Sequence, residues 1–380
     1  MPSVPPALRP PISFYAPLKS PDDPVPSGDR TMARLLLSAL ERAGFAPEVA
    51  SRFSAFSGDG AAQAELAAAG AGEAERVAGD LSGRPVGSRP RLWFTYHSYY
   101  KAPDLLGPAV SRRLGIPYVL AEASHADKRA GGPFDMFHRK ATDAARAADL
   151  HLVLARRDET ALRRLRGDGE GIVFLPPFVE EAGSGEPAPL FAAGPLRLVT
   201  VAMMRPSDKL RSYRLLAEAL ARARCSWRLE VAGDGSARGE VEAAFAGFGE
   251  RVRFHGLVAD PVRLAALVEG ADLLVWPGVN EAFGMTYLEA ARHGRPALAM
   301  RYGGVPDVVE DDVSGLLVEP EDAGAYAAAL DRLAADRAWL ARLGAGARER
   351  VRTLHGFEAA ARRLREALAP LLSRGVPCAS

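Results

Sequence analysis

Cysteine is almost missing from this 380-residue chain, which has only Cys225 and Cys378. The two form no short-spaced pair, so neither a metal knuckle nor a disulfide framework is expected, and a reducing cytoplasm is the plain reading. A surplus of charge is missing too. There are 48 basic and 47 acidic side chains, and 23 and 21 of these fall in residues 1–180. Neither half therefore has the basic excess of a nucleic-acid binder, and no nucleic-acid partner is expected. No apolar run approaches the ~18 residues that span a bilayer. The opening residues Met1–Pro10 lack the charged-then-apolar pattern of a signal peptide. From these features the protein is expected in the cytoplasm or at the inner face of a membrane.

Several catalytic signatures are also absent. No G-x-G-x-x-G follows a strand, and there is no G-x-x-x-x-G-K-[ST], which removes support for dinucleotide dehydrogenases and P-loop enzymes. Neither H-E-x-x-H nor G-x-S-x-G occurs. No Asp-x-Asp pair is available to hold a metal on a diphosphate. No metal site and no cofactor are expected. A bound diphosphate would have to be neutralised by protein cations and helix N-termini.

What is present is an ordinary globular composition, 48% hydrophobic and 25% charged, in a chain long enough for two domains. Short apolar runs alternate with amphipathic segments. Ile12–Tyr15, Leu92–Tyr96, Tyr118–Leu120, Leu152–Leu154 and Ile172–Leu175 read as strands in the first half. Thr31–Arg42, Leu105–Leu114 and Phe137–Ala147 read as helices, and Ala61–Ala78 as a surface helix or loop. Residues 181–195, rich in Pro, Gly, Ser and Ala, read as a linker. The alternation then restarts. Leu196–Val201, Arg228–Val231, Val252–Phe254, Leu273–Trp276 and Ala297–Met300 are expected strands; Leu210–Ala223, Val241–Phe248 and Gly284–Arg292 are expected helices. From Asp322 to Ser373 the chain reads as helix broken near Gly344–Gly346 and at Gly356. The pattern implies an α/β fold of two Rossmann-like parallel-sheet domains, residues 1–180 and 196–355, facing across a cleft that is the natural ligand site.

One segment concentrates chemistry: Leu273-Leu-Val-Trp-Pro-Gly-Val-Asn-Glu281-Ala-Phe-Gly-Met-Thr-Tyr-Leu-Glu289. A strand ends at Trp276 and a helix starts near Gly284, so the first turn presents free N–H groups from Phe283, Gly284, Met285 and Thr286 to an anion. Glu281 stands before the helix and Glu289 inside it. Two carboxylates so placed can accept hydrogen bonds from two polyol portions of one ligand. By spacing alone the same residues also fit ordinary helix capping.

Taken with its surroundings, the segment resembles the retaining glycosyltransferases of the two-domain GT-B fold, in particular glycosyltransferase family four. The matching features are Pro277, Glu281, Phe283-Gly284, Glu289-Ala290, Gly294-Arg-Pro296, Gly303-Gly-Val-Pro-Asp307 and Ser314-Gly-Leu-Leu-Val318. The resemblance implies a nucleotide diphosphate sugar as donor, Glu281 on the transferred sugar, Glu289 on the ribose hydroxyls, and the N–H groups of Phe283–Thr286 on sugar and phosphate. It puts Arg205 and Lys209, in the loop after Leu198–Val201, on the diphosphate, although Met204 replaces the usual glycine and a solvated loop pair is the alternative. Gly233, in Val231-Ala-Gly-Asp-Gly235, matches the turn facing the base, or is a plain turn. Gly28 stands where relatives carry a glycine pair. His125, or else His97, matches a histidine near the reacting sugar, although a lone histidine is more often structural. The final segment, 356–380, is expected to cross back to the N-terminal domain.

The implied reaction is metal-independent transfer, with retention, to a hydroxyl of a glycan, polysaccharide or lipid-linked acceptor. Peripheral membrane contact through the basic Phe137–Arg166 region is left open. The rivals are a sugar-nucleotide epimerase of the same architecture and a non-catalytic nucleotide-sugar-binding protein.

Overall fold

The computed structural model describes residues 9–25, 27–167, 169–180, 190 and 193–374. The chain forms two compact units, one comprising residues up to Pro176 together with those from Glu358 onward, the other Pro177–Phe357. The expected linker at 181–195 lies largely outside the described residues.

In the first unit the chain runs β1 (Pro11–Tyr15), α1 (Gly28–Arg42), β2 (Ala46–Ser51), α2 (Gln63–Ser82), β3 (Trp93–Ser98), α3 (Gly107–Leu114), β4 (Tyr118–Ala123), α4 (Asp135–Ala147), β5 (Leu150–Val153), α5 (Arg156–Arg166) and β6 (Ile172–Phe174). The strands form one parallel sheet in the order β2-β1-β3-β4-β5-β6. Its inner strands are buried on both faces, as a parallel sheet covered by helices requires: Ile12, Phe14, Phe94, Val119 and Leu120 are all within the core.

In the second unit the order is β7 (Leu196–Val201), α6 (Asp208–Arg222), β8 (Trp227–Ala232), α7 (Arg238–Phe245), β9 (Val252–Gly256), α8 (Pro261–Glu269), β10 (Leu273–Val275), α9 (Met285–Arg292), β11 (Ala297–Met300), α10 (Val305–Val308), β12 (Gly315–Val318), α11 (Ala323–Ala335) and α12 (Arg337–Arg350). Its sheet, again parallel, is ordered β12-β11-β10-β7-β8-β9. The last helix, α13 (Phe357–Arg374), packs in the first unit. Arg42 pairs with Glu358 at 2.6 Å, Arg365 donates to the Ala43 carbonyl at 2.8 Å, and Leu364, Leu368 and Leu372 are buried.

Both sheets reverse direction of growth at one place. In the first, β1 has β2 on one side and β3 on the other; in the second, β7 lies between β8 and β10. At such a switch point two loops leave the carboxyl ends of neighbouring strands in opposite directions and leave a crevice for a ligand.

Residues 61–78 fall largely in α2, a surface helix as expected, exposed along one face and burying Ala74, Val77, Ala78 and Leu81 in the main core of its unit along the other. Its weak pattern arises because small residues suffice where helices approach closely, and a Cβ on Gly70 would stand 2.8 Å from the Leu105 Cβ. Two local expectations are corrected. The helical tail does not break at Gly344–Gly346. It breaks at Asp336, whose side chain caps α12, and α12 continues through both glycines. They permit contact rather than a turn: a Cβ on Gly344 would lie 2.6 Å from the Gly294 carbonyl oxygen, and one on Gly346 2.0 Å from that of Val313. Finally, the first helix starts at Gly28 rather than Thr31, capped by Ser27 Oγ, which accepts from the Arg30 N–H at 3.2 Å.

Candidate functional site

The switch point of the second unit holds most of the expected donor residues. The loop after β7 carries Arg205 and leads into α6, on whose first turn Lys209 sits; the loop after β10 carries Glu281. Lys209 Nζ forms an ion pair with Glu281. The same carboxylate accepts from Trp276 Nε1 at 3.1 Å, and Lys209 Nζ lies 5.5 Å from the centre of that indole ring. The two loops are further joined by Asn280 Nδ2 donating to Asp208 Oδ1 at 3.0 Å and by the Val279 N–H donating to Ser212 Oγ at 2.9 Å. Glu281 is thus held by Lys209 and Trp276 on a loop that is itself tied to α6.

That loop is wound around Tyr287, whose hydroxyl donates to the Trp276 carbonyl at 3.0 Å. Gly278 has φ +72° and Gly284 φ +76°, and a Cβ on either would come within 2.2 Å of the Tyr287 hydroxyl oxygen or 2.5 Å of its ring. The glycines are therefore required by packing as well as by backbone conformation. Asn280 also has positive φ, 54°, a conformation Asn tolerates better than most residues.

Beyond Gly284, α9 begins at Met285. Among the described residues no group accepts from the N–H of Phe283, Gly284, Met285 or Thr286, and Thr286 Oγ1 is buried without a partner. Four amides and a hydroxyl without partners thus follow Glu281 in the chain at the start of α9, a composition suited to phosphate oxygens. Glu289, half-buried on α9, makes no hydrogen bond among the described residues; burial raises its pKa, opposed by Arg292. Arg205 is exposed and has no carboxylate partner among the described residues.

Met204, standing where a glycine was expected, is accommodated without difficulty. It is buried, its N–H donates to the Asp234 carbonyl at 2.9 Å, and its own carbonyl accepts from Ala237 at 2.9 Å. Gly233 allows this crossing of strand ends, since a Cβ there would be 1.8 Å from the Ala202 carbonyl oxygen. Its glycine requirement is met inside the protein.

The switch point of the first unit is occupied differently. Gly28 opens α1, and a Cβ on it would meet open space, so no contact within the unit demands glycine there. The next residue, Asp29, places Oδ1 2.9 Å from His97 Nδ1, near the end of β3. Between the Tyr96–Ala121 and Ser98–Ala123 rungs, His97 stands opposite Glu122 of β4. Burial alone would lower the His97 pKa, but Glu122, Asp29 and Asp158 together raise it to about 9. The Asp29 carboxyl, raised by burial but lowered more by His97, titrates below its usual range, whereas burial raises that of Glu122.

His125 is elsewhere in the unit. Its Nε2 lies 3.0 Å from Asp127, whose side chain is 82% exposed, and its ring stacks on His138 with centroids 5.1 Å apart, in a groove that Arg146 and Arg164 also line. Glu122, three residues before His125 in sequence, stands opposite His97 in the strand register. The sequence signal that could have shown this is the position of His97 and Glu122 one residue before the ends of adjacent strands. Trp276, Asn280 and Tyr287, which build the loop around Glu281, were not singled out as functional either; their roles depend on contacts that spacing does not reveal.

Comparison with known proteins identifies the chain's relatives. Residues 195–336 match the family described as "Glycosyl transferases group 1". A D-inositol 3-phosphate glycosyltransferase of Xylanimonas cellulosilytica is 40% identical over 159 residues, 40% of this chain and 38% of that protein. One of Streptomyces avermitilis is 28% identical over 289 residues, 69% of this chain and 62% of its own. The match thus spans less than two thirds of either relative. Among solved structures, sucrose-phosphate synthase from Thermosynechococcus elongatus superposes with TM-score 0.75 at 22% identity, covering 97% of this chain and 100% of that one. Anabaena HepE in complex with UDP superposes with TM-score 0.69 at 18% identity, covering 94% and 99%. At these identities the structural likeness is one of fold, the GT-B arrangement of two parallel-sheet domains.

Proposed function

We propose that this chain, whose C-terminal unit belongs to the group 1 glycosyl transferases, moves a sugar from a nucleotide diphosphate sugar to an acceptor hydroxyl. The observation that carries the reading is the Lys209–Glu281 pair at the β7/β10 switch point, flanked by unsatisfied amides and an exposed arginine. Arg205, Lys209 and the amides of Phe283–Thr286 receive the diphosphate. Glu281 contacts the transferred sugar and Glu289 the ribose.

In the reaction the bond between the sugar C1 and the β-phosphate oxygen breaks while a bond from C1 to the acceptor oxygen forms. The nucleoside diphosphate leaves with the bonding electrons, and its oxygen takes the acceptor proton. Cations and amides already aimed at that phosphate stabilise the charge as it develops, at no reorganisation cost. Leaving and attack on one face of the sugar give retention without an enzymic nucleophile. The retaining course is supported by the family resemblance. Metal independence is supported by the choice of neutralising groups, which are protein cations and amides. Acceptors of the glycan, polysaccharide or lipid-linked type fit this chemistry. No helix among the described residues is long and apolar enough to cross a membrane.

The test is a thermal-shift screen of nucleotide sugars with and without EDTA, followed by turnover of Glu281→Gln and Arg205→Ala. Stabilisation by one donor that persists in EDTA, with turnover lost in both variants, supports the reading. Stabilisation that requires added metal contradicts the metal-free mechanism, and turnover like that of the wild type in both variants removes these residues from the site.

A further inference from the structure

The four tryptophans of the chain use their indole N–H groups differently. Trp93 Nε1 donates to Thr95 Oγ1 at 2.8 Å, Trp339 Nε1 donates to Asp312 Oδ1 at 2.7 Å, and Trp227 Nε1 is buried without a partner. Trp276 alone directs its N–H at a residue of the candidate donor site, Glu281, whose Oε1 accepts it at 3.1 Å. Lys209 Nζ bonds the same oxygen, whereas Glu281 Oε2 has no partner among the described residues.

The two donors on Oε1 differ in freedom. Trp276 is fully buried; its backbone N–H donates to the Leu298 carbonyl at 3.1 Å, and its carbonyl accepts from the Tyr287 hydroxyl at 3.0 Å. Its ring lies edge-on to Tyr213, with centroids 4.9 Å apart and planes at 72°, and the Tyr213 hydroxyl donates to the Ala202 carbonyl at 2.8 Å. In a close-packed interior the indole cannot turn without disturbing α6 and α9. Lys209 is partly exposed and carries its charge on a flexible four-carbon stem.

Charge decides which donor stays when a diphosphate arrives. Glu281 offers Lys209 a single negative charge and a diphosphate offers more than one, so the mobile ammonium follows the diphosphate. Oε1 is then left with the fixed donor. We infer that Trp276 is a positioning residue for sugar transfer: once the diphosphate draws Lys209 away, the indole N–H holds Glu281 Oε1 so that Oε2 accepts from a hydroxyl of the transferred sugar. Without that N–H the carboxylate swings about its side-chain torsions, and a displacement of about 1 Å at a reacting group costs up to ~10²-fold in rate. The role in transfer rests on the glycosyltransferase reading; the Trp276–Glu281 contact does not.

The experiment uses the full chain labelled with ¹⁵N at the indole nitrogens. The Trp276 resonance is the one lost in Trp276→Phe. Glu281→Ala is expected to displace it upfield, as for a hydrogen bond removed, and Lys209→Met to displace it without that loss. UDP, GDP and ADP are titrated separately, and at least one is expected to move it saturably towards its Lys209→Met position. In Trp276→Phe, kcat for donor consumption should fall ~10-fold, equivalent to one hydrogen bond of about 1.4 kcal/mol to a charged group. Nucleoside diphosphate affinity, measured by calorimetry, should stay that of wild type, because Arg205, Lys209 and the amides at the start of α9 are untouched. The inference is overturned if Glu281→Ala leaves all four indole resonances in place, or if a bound diphosphate leaves that of Trp276 unmoved. It is equally overturned if Trp276→Phe turns over like wild type, or loses diphosphate affinity in step with turnover, which marks a merely structural role. If Trp276→Phe fails to fold, the first two outcomes still decide, on the one resonance that Glu281→Ala displaces. Wild type that neither binds a diphosphate nor consumes a nucleotide sugar would sink the transferase reading, and with it the role in transfer; Glu281→Ala would still report the contact.

Discussion

Lys209 and Glu281 are 72 residues apart in the chain and form an ion pair across the point where the second sheet reverses its strand order. Neither residue is fully exposed: the side chains retain 32% and 15% of their accessible surface. The pair is partly withdrawn from water beside unsatisfied amides, where a ligand's charge would be felt strongly.

The pair is expected to matter for turnover far more than for stability. Glu281→Gln keeps the shape and the Trp276 Nε1 bond but removes the charge. Donor consumption should fall by roughly 10²–10³, the scale of losing one electrostatic contact in a transition state. Melting temperature should move only slightly, because partly exposed pairs contribute little to folding. Equal losses in turnover and stability would argue for a structural role.

Arg205 offers a cleaner separation. It is exposed and has no carboxylate partner among the described residues, so Arg205→Ala should leave melting unchanged. Nucleoside diphosphate affinity, measured by calorimetry, should fall about 10-fold, equivalent to one charge-assisted hydrogen bond of about 1.5 kcal/mol. The deficit should shrink as salt is raised.

The Glu281 loop depends on an absent side chain. Gly278→Ala would bring a methyl to 2.2 Å from the Tyr287 hydroxyl oxygen. A destabilisation of about 1–3 kcal/mol is expected from the clash and the positive φ. Adding Tyr287→Phe should restore part of the loss by removing the clashing oxygen, and the unrecovered part measures backbone strain. Chemical denaturation of the single and double variants tests this.

Stability should also depend on pH through His97. Its folded pKa is raised to about 9 from an ordinary 6.5. The protonated form is favoured in the folded state, so the contribution is fully present below pH 6.5 and is lost as pH rises through 9. Its size is on the order of a few kcal/mol. Denaturation midpoints of wild type should decline across this window relative to His97→Gln, whose profile lacks that component. Parallel profiles would show that His97 is not held charged by Asp29 and Glu122.

Two helix glycines should respond with opposite signs. Gly72 of α2 faces open space, and Gly72→Ala should stabilise by about 0.5–1 kcal/mol through the unfolded chain and helix propensity. Gly344→Ala would drive a methyl to 2.6 Å from the Gly294 carbonyl oxygen and should destabilise instead, despite the same gain in propensity. Thermal melts of the two variants make the comparison directly.

The sequence by itself determined the class of fold. Alternating buried strands and amphipathic helices on both sides of residues 181–195 admit little but two parallel-sheet domains, because each such strand needs a helical crossover. It also placed Glu281, Gly284 and Glu289 around one strand–loop–helix junction, because that junction is local in the chain. Strand order was decided only by tertiary structure, as pairing between distant strands leaves no mark on local periodicity. That order brings Lys209 to Glu281 and sets His97 opposite Glu122. The glycines show the same division. Those at Gly344 and Gly346 read as a helix break by propensity, but the structure keeps the helix and uses them for close approach. Local preferences of about 1 kcal/mol per residue yield to the packing of a whole helix, which buries far more.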